Sequence, residues 1–557
     1  IAKGHVVREI DALGGEMALN TEAAAIQRRM LNKSRGAAVQ SPRAQCDKVI
    51  YQRRMKHVLE RQPRLFIQQA QAVSIAADRD GGTVTGVITE FGEHWRAGAV
   101  VLATGTFLDA KLHYGLQSVP GGRAGDPAAA ALAASLRTDL GLEIGRLKTG
   151  TPTRIQAQTI DFSKLERQDA DGERVRFAFR EDRSSVPHPG GASLPQLPCY
   201  LTNSTPGTAR IIRENLDKSP LYSGRIQGIG TRYCPSFEDK IMRFENRETH
   251  QVHLEPEGAF TDEYYLNGIS TSMPPDVQWQ MVRSLPGLEK AHITRYAYAI
   301  EYDFVFPHQL DASLAVRCWP NLFLAGQING TSGYEEAAAQ GLIAGINAAR
   351  RSAGDREPVI LSRDKAYIGV MIDDLVTKEI IEPYRLFTSR AEYRLLLRQD
   401  NADRRLMPLG HEIGLVTATD YQQVVSLEDE ITQTRAQLTR VRHEGSTLWD
   451  LLKKQKTAYA DLPGAPDISA RAAEQLEIEA RYEGYVKRQM VQAEGMRQLE
   501  KWRIPPNFDY AVKGLRIEAK LKLEKSRPAT LGQAARIDGV TPAEIALLQV
   551  HLRRGQN

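Results

Sequence analysis

The sequence predicts an α/β protein: a Rossmann-like nucleotide-binding domain, interrupted by an inserted α/β domain and followed by an all-helical C-terminal domain. Three observations predict it. Asn321 to Ala349, NLFLAGQINGTSGYEEAAAQGLIAGINAA, reads as a strand, a glycine-rich turn and a helix. Ala99 to Leu108, AVVLATGTFL, reads as a second apolar strand running into Ala-Thr-Gly. Beyond residue 355 strand signals nearly vanish, and stretches rich in Ala, Leu, Glu, Lys, Arg and Gln take over.

In the first segment, Leu322 to Ala325 form a short apolar run ended by Gly326, the pattern of a buried parallel strand bounded by a turn. Ser332 and Glu335 have capping-box spacing for the helix that follows. Ala338, Gly341, Gly345 and Ala348 place small residues on one helical face, where a helix can lie close on a sheet. Free N–H groups at a helix start favour negative charge. Glu335 and Glu336 in the first turn argue against a phosphate there, and a partly charged ring edge such as that of a reduced flavin fits better. An ordinary βα unit of an α/β core would show the same pattern. The second segment points the same way, because a Gly after a strand lets backbone approach a ligand closely. Together the two suggest one nucleotide-binding domain split in sequence, its last strand and helix returning after an insertion.

The expected organisation is a first nucleotide-binding part at 1–150, an inserted domain at 151–310, the closing part at 311–355 and a helical domain at 356–557. Pro-rich turns, a loop at Glu181 to Pro198 and strand-like pieces such as HQVHLEPEG characterise the insertion. The opening IAKGHVVREIDALGGEM reads as the inside of a fold, so a further N-terminal portion is expected, and with it the glycine-rich loop absent from the rest.

The 557 residues are 42% hydrophobic and 25% charged, which is ordinary for a globular chain of several domains. No apolar run of ~18 residues predicts a membrane span, and no signal peptide is evident, so a cytoplasmic protein is expected. Cys46, Cys199, Cys234 and Cys318 lie far apart without His partners at ligand spacing. That excludes a zinc site and a disulfide framework and points to a reducing compartment. A net charge of +5 permits a nucleic-acid partner without demanding one.

Among the cysteines, Cys234 in GIGTRYCPSFEDKIMRF is the reactive candidate. Ser236 and Asp239 have capping spacing for a helix beginning near Phe237, so Cys234 would precede a helix N-terminus, with Arg232 two residues away. Both features lower a thiol pKa, although a buried inert cysteine is the plainer alternative. In EPYRLFTSRAEYRLLLRQDNADRRL, Arg390, Arg394 and Arg398 fall at i, i+4 and i+8, which on a helix makes one basic stripe. Phosphates would suit it, and so would a solvated, salt-bridged face. Ala529 to Arg553 reads as a helix, Gly539, Val540 and a new helix starting at Thr541-Pro542, most simply a hairpin that docks a partner.

These segments also carry a family resemblance. AKGHVVREIDALGGEM, ATGTFLDAKLHYGLQSVPGGRAGDP, GRLKTGTPTRIQAQTIDFSKLE, GIGTRYCPSFEDKIMRFENRETHQVHLEPEG, AGQINGTSGYEEAAAQGLIAG, EPYRLFTSRAEYRLLLRQDNADRRL and the GQAARIDGVTPAEIALLQVHL tail resemble the tRNA uridine 5-carboxymethylaminomethyl modification enzymes, the glucose-inhibited division protein A family. The resemblance runs from residue 1 to the end. It implies an FAD-dependent enzyme that, with a partner GTPase, modifies C5 of the wobble uridine in certain tRNAs. NADH would be the reductant and methylenetetrahydrofolate the one-carbon donor, with no metal. It also implies a homodimer that forms a heterotetramer with the GTPase. FAD contacts would fall at Gln71, Ala129, Gly326 and Gln327. The NAD segment would comprise Gly230, Thr231, Arg232, Tyr233, Cys234, Pro235, Ser236, Phe237, Glu238, Asp239, Lys240, Ile241, Met242, Arg243 and Phe244. Cys234 would be catalytic, and Arg390, Arg394 and Arg398 would meet tRNA.

Two positions depart from the family pattern within the chain. Ala129 stands where Ser is common, leaving only backbone for a contact, and Thr153 stands where a second Pro is usual in K-T-G-T-P-P-R. Two rival readings are a folate- and FAD-dependent tRNA uridine C5-methyltransferase, whose relatives lack the long helical domain, and a flavin oxidoreductase acting on a small metabolite. A third is a non-catalytic scaffold with structural flavin.

Overall fold

The two apolar segments do meet. In the computed structural model, Val100–Leu102 pairs in parallel with Trp319–Leu324, Leu322 opposite Val100 and Leu324 opposite Leu102. The structure describes the whole chain except residues 1, 172–174, 183–193, 231–234, 245–246, 248, 356, 455–456 and 555–557. Among those described, no helix is long and apolar enough to cross a membrane.

The parallel pair lies in a three-stranded sheet with Ala315–Val316. Helix Tyr334–Ser352 packs on it, and helices Lys3–Ala12 and Tyr367–Thr377 pack against that helix, in one hydrophobic core that runs from Ala2 to Leu406. Helix Tyr367–Thr377 is buried along its entire length. An antiparallel meander, Ala72–Asp78, Thr83–Thr89 and His94–Arg96, adjoins this core.

The intervening chain builds two further sheets. A five-stranded sheet joins Gln117–Pro120, Lys111–Tyr114, Tyr298–Val305, Ile144–Thr151 and Ile229–Gly230. A six-stranded antiparallel sheet, which includes the expected strand Gln251–Pro256, has its own core around Ile155, Val252, Leu254 and Met281. Every residue of Tyr298–Val305 is buried, which explains its near-continuous apolar and aromatic composition.

The C-terminal part is helical as expected, with two small cores, one around Leu438, Leu448 and Leu476 and one around Tyr510, Leu531 and Leu548. The long helix Ala470–Glu500 connects them, capped by the Ser469 side chain. The expected C-terminal hairpin is present as Leu531–Arg536 and Pro542–Arg554.

Three local expectations fail. The helix after Gly326 starts at Tyr334 with Gly333 as N-cap, so Ser332 does not cap it; the Ser332 hydroxyl accepts from Arg385 Nε at 2.9 Å instead. Its packed face is Ala339, Gln340, Ile343, Ala344, Asn347 and Ala348, whereas a Cβ at Gly341 or Gly345 would meet nothing within 4 Å. Ala338 and Ala348 of the small-residue stripe thus meet the core, whereas its two glycines do not.

The arginine stripe is the third correction. Arg390, Arg394 and Arg398 are not on a helix: the chain from 391 to 398 is turn and coil between two short 3-10 turns. The cause is tertiary. Tyr384 N–H donates to Gly330 O at 2.7 Å, which ties the start of this segment to the Gly330 turn, and the buried Asp374 gathers Arg363, Arg390 and the Tyr384 hydroxyl around it. These partners outweigh a helical propensity worth only tenths of a kcal/mol per residue.

Candidate functional site

Both parallel strands end at the same edge, and each ends in a glycine with left-handed backbone: Gly105 at φ 56° and Gly326 at φ 85°. Such a conformation strongly favours a residue without Cβ. Gln327 Oε1 lies 3.6 Å from where a Gly105 Cβ would stand, so the two turns face each other.

The second turn is held by amide side chains. Gly326 N–H donates to Gln340 Oε1 at 2.9 Å, and Asn329 Nδ2 donates to the same oxygen at 3.0 Å and to Leu324 O at 2.7 Å. Gln340 Nε2 in turn donates to Thr331 Oγ1 at 2.8 Å. Gln340 and Asn329 are fully buried, so this network is sheltered from water and stiffens the loop.

Gln71 and Ala129 reach the same neighbourhood. Gln71 Nε2 donates to Ala128 O at 3.1 Å, and Ala129 N–H donates to Phe107 O at 2.8 Å, two residues beyond Gly105. Gln71, Ala129, Gly326 and Gln327 thus converge on the two strand ends, although they are distant in sequence. The Ala129 N–H is committed to Phe107, which leaves only a carbonyl lone pair for any ligand. Thr104 Oγ1, on the residue just before Gly105, is buried with no hydrogen-bond partner among the described residues. Burying such a hydroxyl unpaired is unfavourable by roughly 1–3 kcal/mol, so the position suits a polar ligand.

A second cluster surrounds Gly228 and Gly230. The short strand Ile229–Gly230 pairs in parallel with Leu147 and Lys148, and a Cβ at Gly228 would lie 2.8 Å from the Leu147 carbonyl carbon. That close approach requires glycine. Glu301 anchors this strand from below, accepting from Gln227 N–H at 2.8 Å and Gly228 N–H at 2.7 Å, with His113 Nε2 at 3.4 Å and Arg146 Nε at 3.6 Å. Burial alone would raise its pKa, but His113, the Gly228 N–H and Arg146 together lower it to about 2. Its charge is fixed at neutral pH.

Beyond Gly230, residues 231–234 fall outside the described residues, so Thr231, Arg232, Tyr233 and Cys234 carry no structural statement. The expected helix follows them as Phe237–Arg243, with the Ser236 side chain accepting from Asp239 N–H. Phe237 and Glu238 are fully buried; Glu238 Oε1 accepts from the Thr271 hydroxyl, the Ser272 hydroxyl and Ser272 N–H. Lys240 Nζ donates to Gly268 O at 2.6 Å. Ile241 packs into the core of the six-stranded sheet, whereas Arg243 and Phe244 are exposed. The described residues on either side of 231–234 are therefore held in place, Gly228 by Glu301 and helix Phe237–Arg243 by the core it packs into.

Sequence reasoning missed Glu301, Gln340 and Lys148. Gln340 and Glu301 lie inside apolar runs, a weak hint of buried polar roles. Lys148 stands only 6% exposed in strand Ile144–Thr151, its Cδ lying 3.5 Å from a would-be Gly230 Cβ. Of the three arginines, Arg398 is buried and paired with Asp400, Arg390 is paired with Asp374, and Arg394 alone is exposed.

Residues 1–356 match the family model described as glucose inhibited division protein A. Residues 416–490 and 492–557 match the C-terminal helical domain and C-terminal helical bundle of the tRNA modifying enzyme MnmG/GidA. A curated protein of Geobacter metallireducens named tRNA uridine 5-carboxymethylaminomethyl modification enzyme MnmG is 50% identical over 99% of the chain and 90% of the relative. One of the same name from Protochlamydia amoebophila is 50% identical over 100% of the chain and 89% of its own length. A solved structure of Aquifex aeolicus GidA superposes with a TM-score of 0.91 at 47% identity, covering 99% of this chain and 92% of that one. On this fold and this similarity over nearly its whole length, the chain belongs to the glucose inhibited division protein A family.

Proposed function

We propose that this chain modifies C5 of the wobble uridine, position 34, of certain tRNAs, installing a carboxymethylaminomethyl or aminomethyl group. The observation that carries the reading is the likeness, over the whole chain, to curated tRNA uridine 5-carboxymethylaminomethyl modification enzymes. The chain is an enzyme of tRNA uridine modification; its cofactors, site residues and partners are the proposal. FAD is assigned to the two strand ends, NADH to the 230–244 segment, and methylenetetrahydrofolate serves as the one-carbon donor. A GTPase partner, a homodimer within a heterotetramer and a cytoplasmic location complete it.

The residues present fit a flavin nucleotide. The two left-handed glycines leave backbone open to a ligand, and the unpartnered Thr104 hydroxyl lacks the partner such a ligand offers. When bound, FAD would supply the hydride chemistry that completes the reduction. Gly326, Gln327, Gln71 and the Ala129 carbonyl would hold and orient it, with Gln340 setting the loop.

Cys234 is assigned to the uridine. As a thiolate it would add to C6, breaking the C5–C6 double bond and making C5 nucleophilic toward a methylene electrophile. The alternative role, proton transfer at C5, uses the same thiol.

The test is product analysis. The chain is incubated with FAD, NADH, methylenetetrahydrofolate, glycine, a tRNA-modification GTPase with GTP, and unmodified tRNA, and nucleosides are identified by mass spectrometry. Carboxymethylaminomethyl uridine that disappears with Cys234→Ser is the expected result. Only 5-methyluridine would favour the methyltransferase, and NADH oxidation without a tRNA product a small-molecule oxidoreductase.

A further inference from the structure

The long helix Ala470–Glu500 carries a band that the proposed chemistry does not use. At one end, Tyr482 touches the tip of the hairpin formed by Ala25–Leu31 and Ser41–Cys46: a Cβ on Gly36 would lie 2.6 Å from the Tyr482 hydroxyl. That tip, Leu31 to Gly36, is exposed residue after residue, yet it is ordered by its own hydrogen bonds. Asn32 Nδ2 donates to Val39 O, and Gln40 Nε2 donates to Arg35 O at 2.9 Å and Lys33 O at 3.3 Å. These bonds hold the backbone that carries Arg35.

Seven residues on, about 10 Å along the helix axis, Gln489 clasps the segment that carries Arg394. Its Oε1 accepts from Leu395 N–H at 3.2 Å and its Nε2 donates to Glu392 O at 3.3 Å. Between these two contacts, on the same helical stripe, Tyr485 is 56% exposed with the Arg488 guanidinium 4.8 Å from its ring centroid. Arg35, Arg394 and Arg488 are exposed, and none has an ion-pair partner among the described residues, whereas most exposed cations nearby do: Lys33 pairs with Asp171, Arg481 with Glu477 and Lys487 with Glu483.

We infer that this band, from the Arg35 hairpin tip across Tyr485 and Arg488 to Arg394, is a docking surface for the sugar-phosphate backbone of the tRNA substrate, with Tyr485 as a stacking platform for an unpaired base. The inference rests on the tRNA-modification reading. Three exposed guanidiniums without ion-pair partners, on elements that meet along one helix, suit the phosphates of a backbone better than a protein face, which would supply carboxylates. An aromatic ring beneath an arginine is the combination by which proteins hold unstacked RNA bases.

The experiment measures binding of unmodified tRNA to the full chain between low and moderate salt, for the parent and for Arg35→Ala, Arg394→Ala, Arg488→Ala and their triple combination. The triple variant is expected to bind about tenfold or more weakly, with the slope of log K against log salt reduced by about 2 to 3. Its thermal midpoint should match the parent, because all three side chains are exposed. Tyr485→Ala is expected to weaken binding without changing the salt slope. If the parent binds and modifies tRNA but the triple variant keeps its affinity and slope, the surface is overturned while the activity stands. If the parent neither binds nor modifies tRNA, the activity fails and the surface with it.

Discussion

Gln340 is the residue on which the second turn depends, and Gln340→Leu is the perturbation that isolates it. Leucine roughly keeps the volume and removes four hydrogen bonds at once: those from Gly326 N–H, from Asn329 Nδ2, to Thr331 Oγ1 and the weaker one to Met371 Sδ at 3.7 Å. At ~1 kcal/mol net each, with the Gly326 N–H left buried without an acceptor, the ordered loop loses about 3 to 5 kcal/mol. A loss of ~3 kcal/mol is roughly a 100-fold change in the equilibrium between ordered and open loop. Two measurements read it. Amide exchange at Gly326 should quicken by about 100-fold, because opening no longer breaks a buried bond. The dissociation constant for added FAD should rise by at least about tenfold, since only chains with the ordered turn bind. Gln340→Glu keeps both acceptor contacts and loses the donations to Thr331 and Met371, so it should fall between parent and Leu. If Gln340→Leu leaves both the Gly326 exchange rate and the FAD constant within about twofold, the loop is not held by this amide and the assignment of the turn to the cofactor loses its support.

Other consequences can be checked together. Glu301 has a folded-state pKa lowered to about 2 from its ordinary 4.5, so its stabilisation is complete above 4.5 and is lost as the pH falls from there toward 2; denaturation midpoints followed through that window should drop in the parent and drop less in Glu301→Gln. Asp374 is fully buried and neutralises Arg363 at 2.8 Å, so Asp374→Ala should destabilise by about 3 kcal/mol, read from chemical denaturation of the core, and an effect below ~1 kcal/mol would contradict this packing. Arg398 and Arg394 should separate cleanly: Arg398→Ala removes a buried pair with Asp400 and lowers the melting temperature, whereas Arg394→Ala leaves melting unchanged and weakens tRNA binding. Gly228→Ala should disrupt the short strand Ile229–Gly230, because its Cβ would collide with the Leu147 backbone; loss of protection at the residue 228 amide is the readout.

What could be read from the sequence alone was whatever depends on short-range pattern. The strands Val100–Leu102 and Trp319–Leu324, the Ser236 cap, the long helix Ala470–Glu500 and the C-terminal hairpin all follow from periodicity, capping chemistry and propensity, which act within a few residues. The convergence of Gln71, Ala129, Gly326 and Gln327 was legible only as a resemblance, because nothing local joins residues so far apart in the chain. Cys234 remains a sequence-level assignment.

What only the tertiary structure decided is where polar and charged side chains find partners. The spacing of Arg390, Arg394 and Arg398 suits a helix, but buried Asp374 and the Tyr384 to Gly330 pairing hold that segment in a run of turns, and three equivalent-looking arginines become one structural ion pair, one buried brace and one exposed cation. Gly341 and Gly345 share a helical face by spacing, yet the helix turns its Gln340 face inward because that amide is needed at Gly326. Packing likewise places Leu361 to Leu406 in the same core as the nucleotide-binding strands, and sets Tyr482 and Gln489 of the long helix against that part of the chain. Local propensities are worth tenths of a kcal/mol per residue, whereas a buried charge or amide without its partner is unfavourable by several, so long-range pairing decides wherever the two conflict.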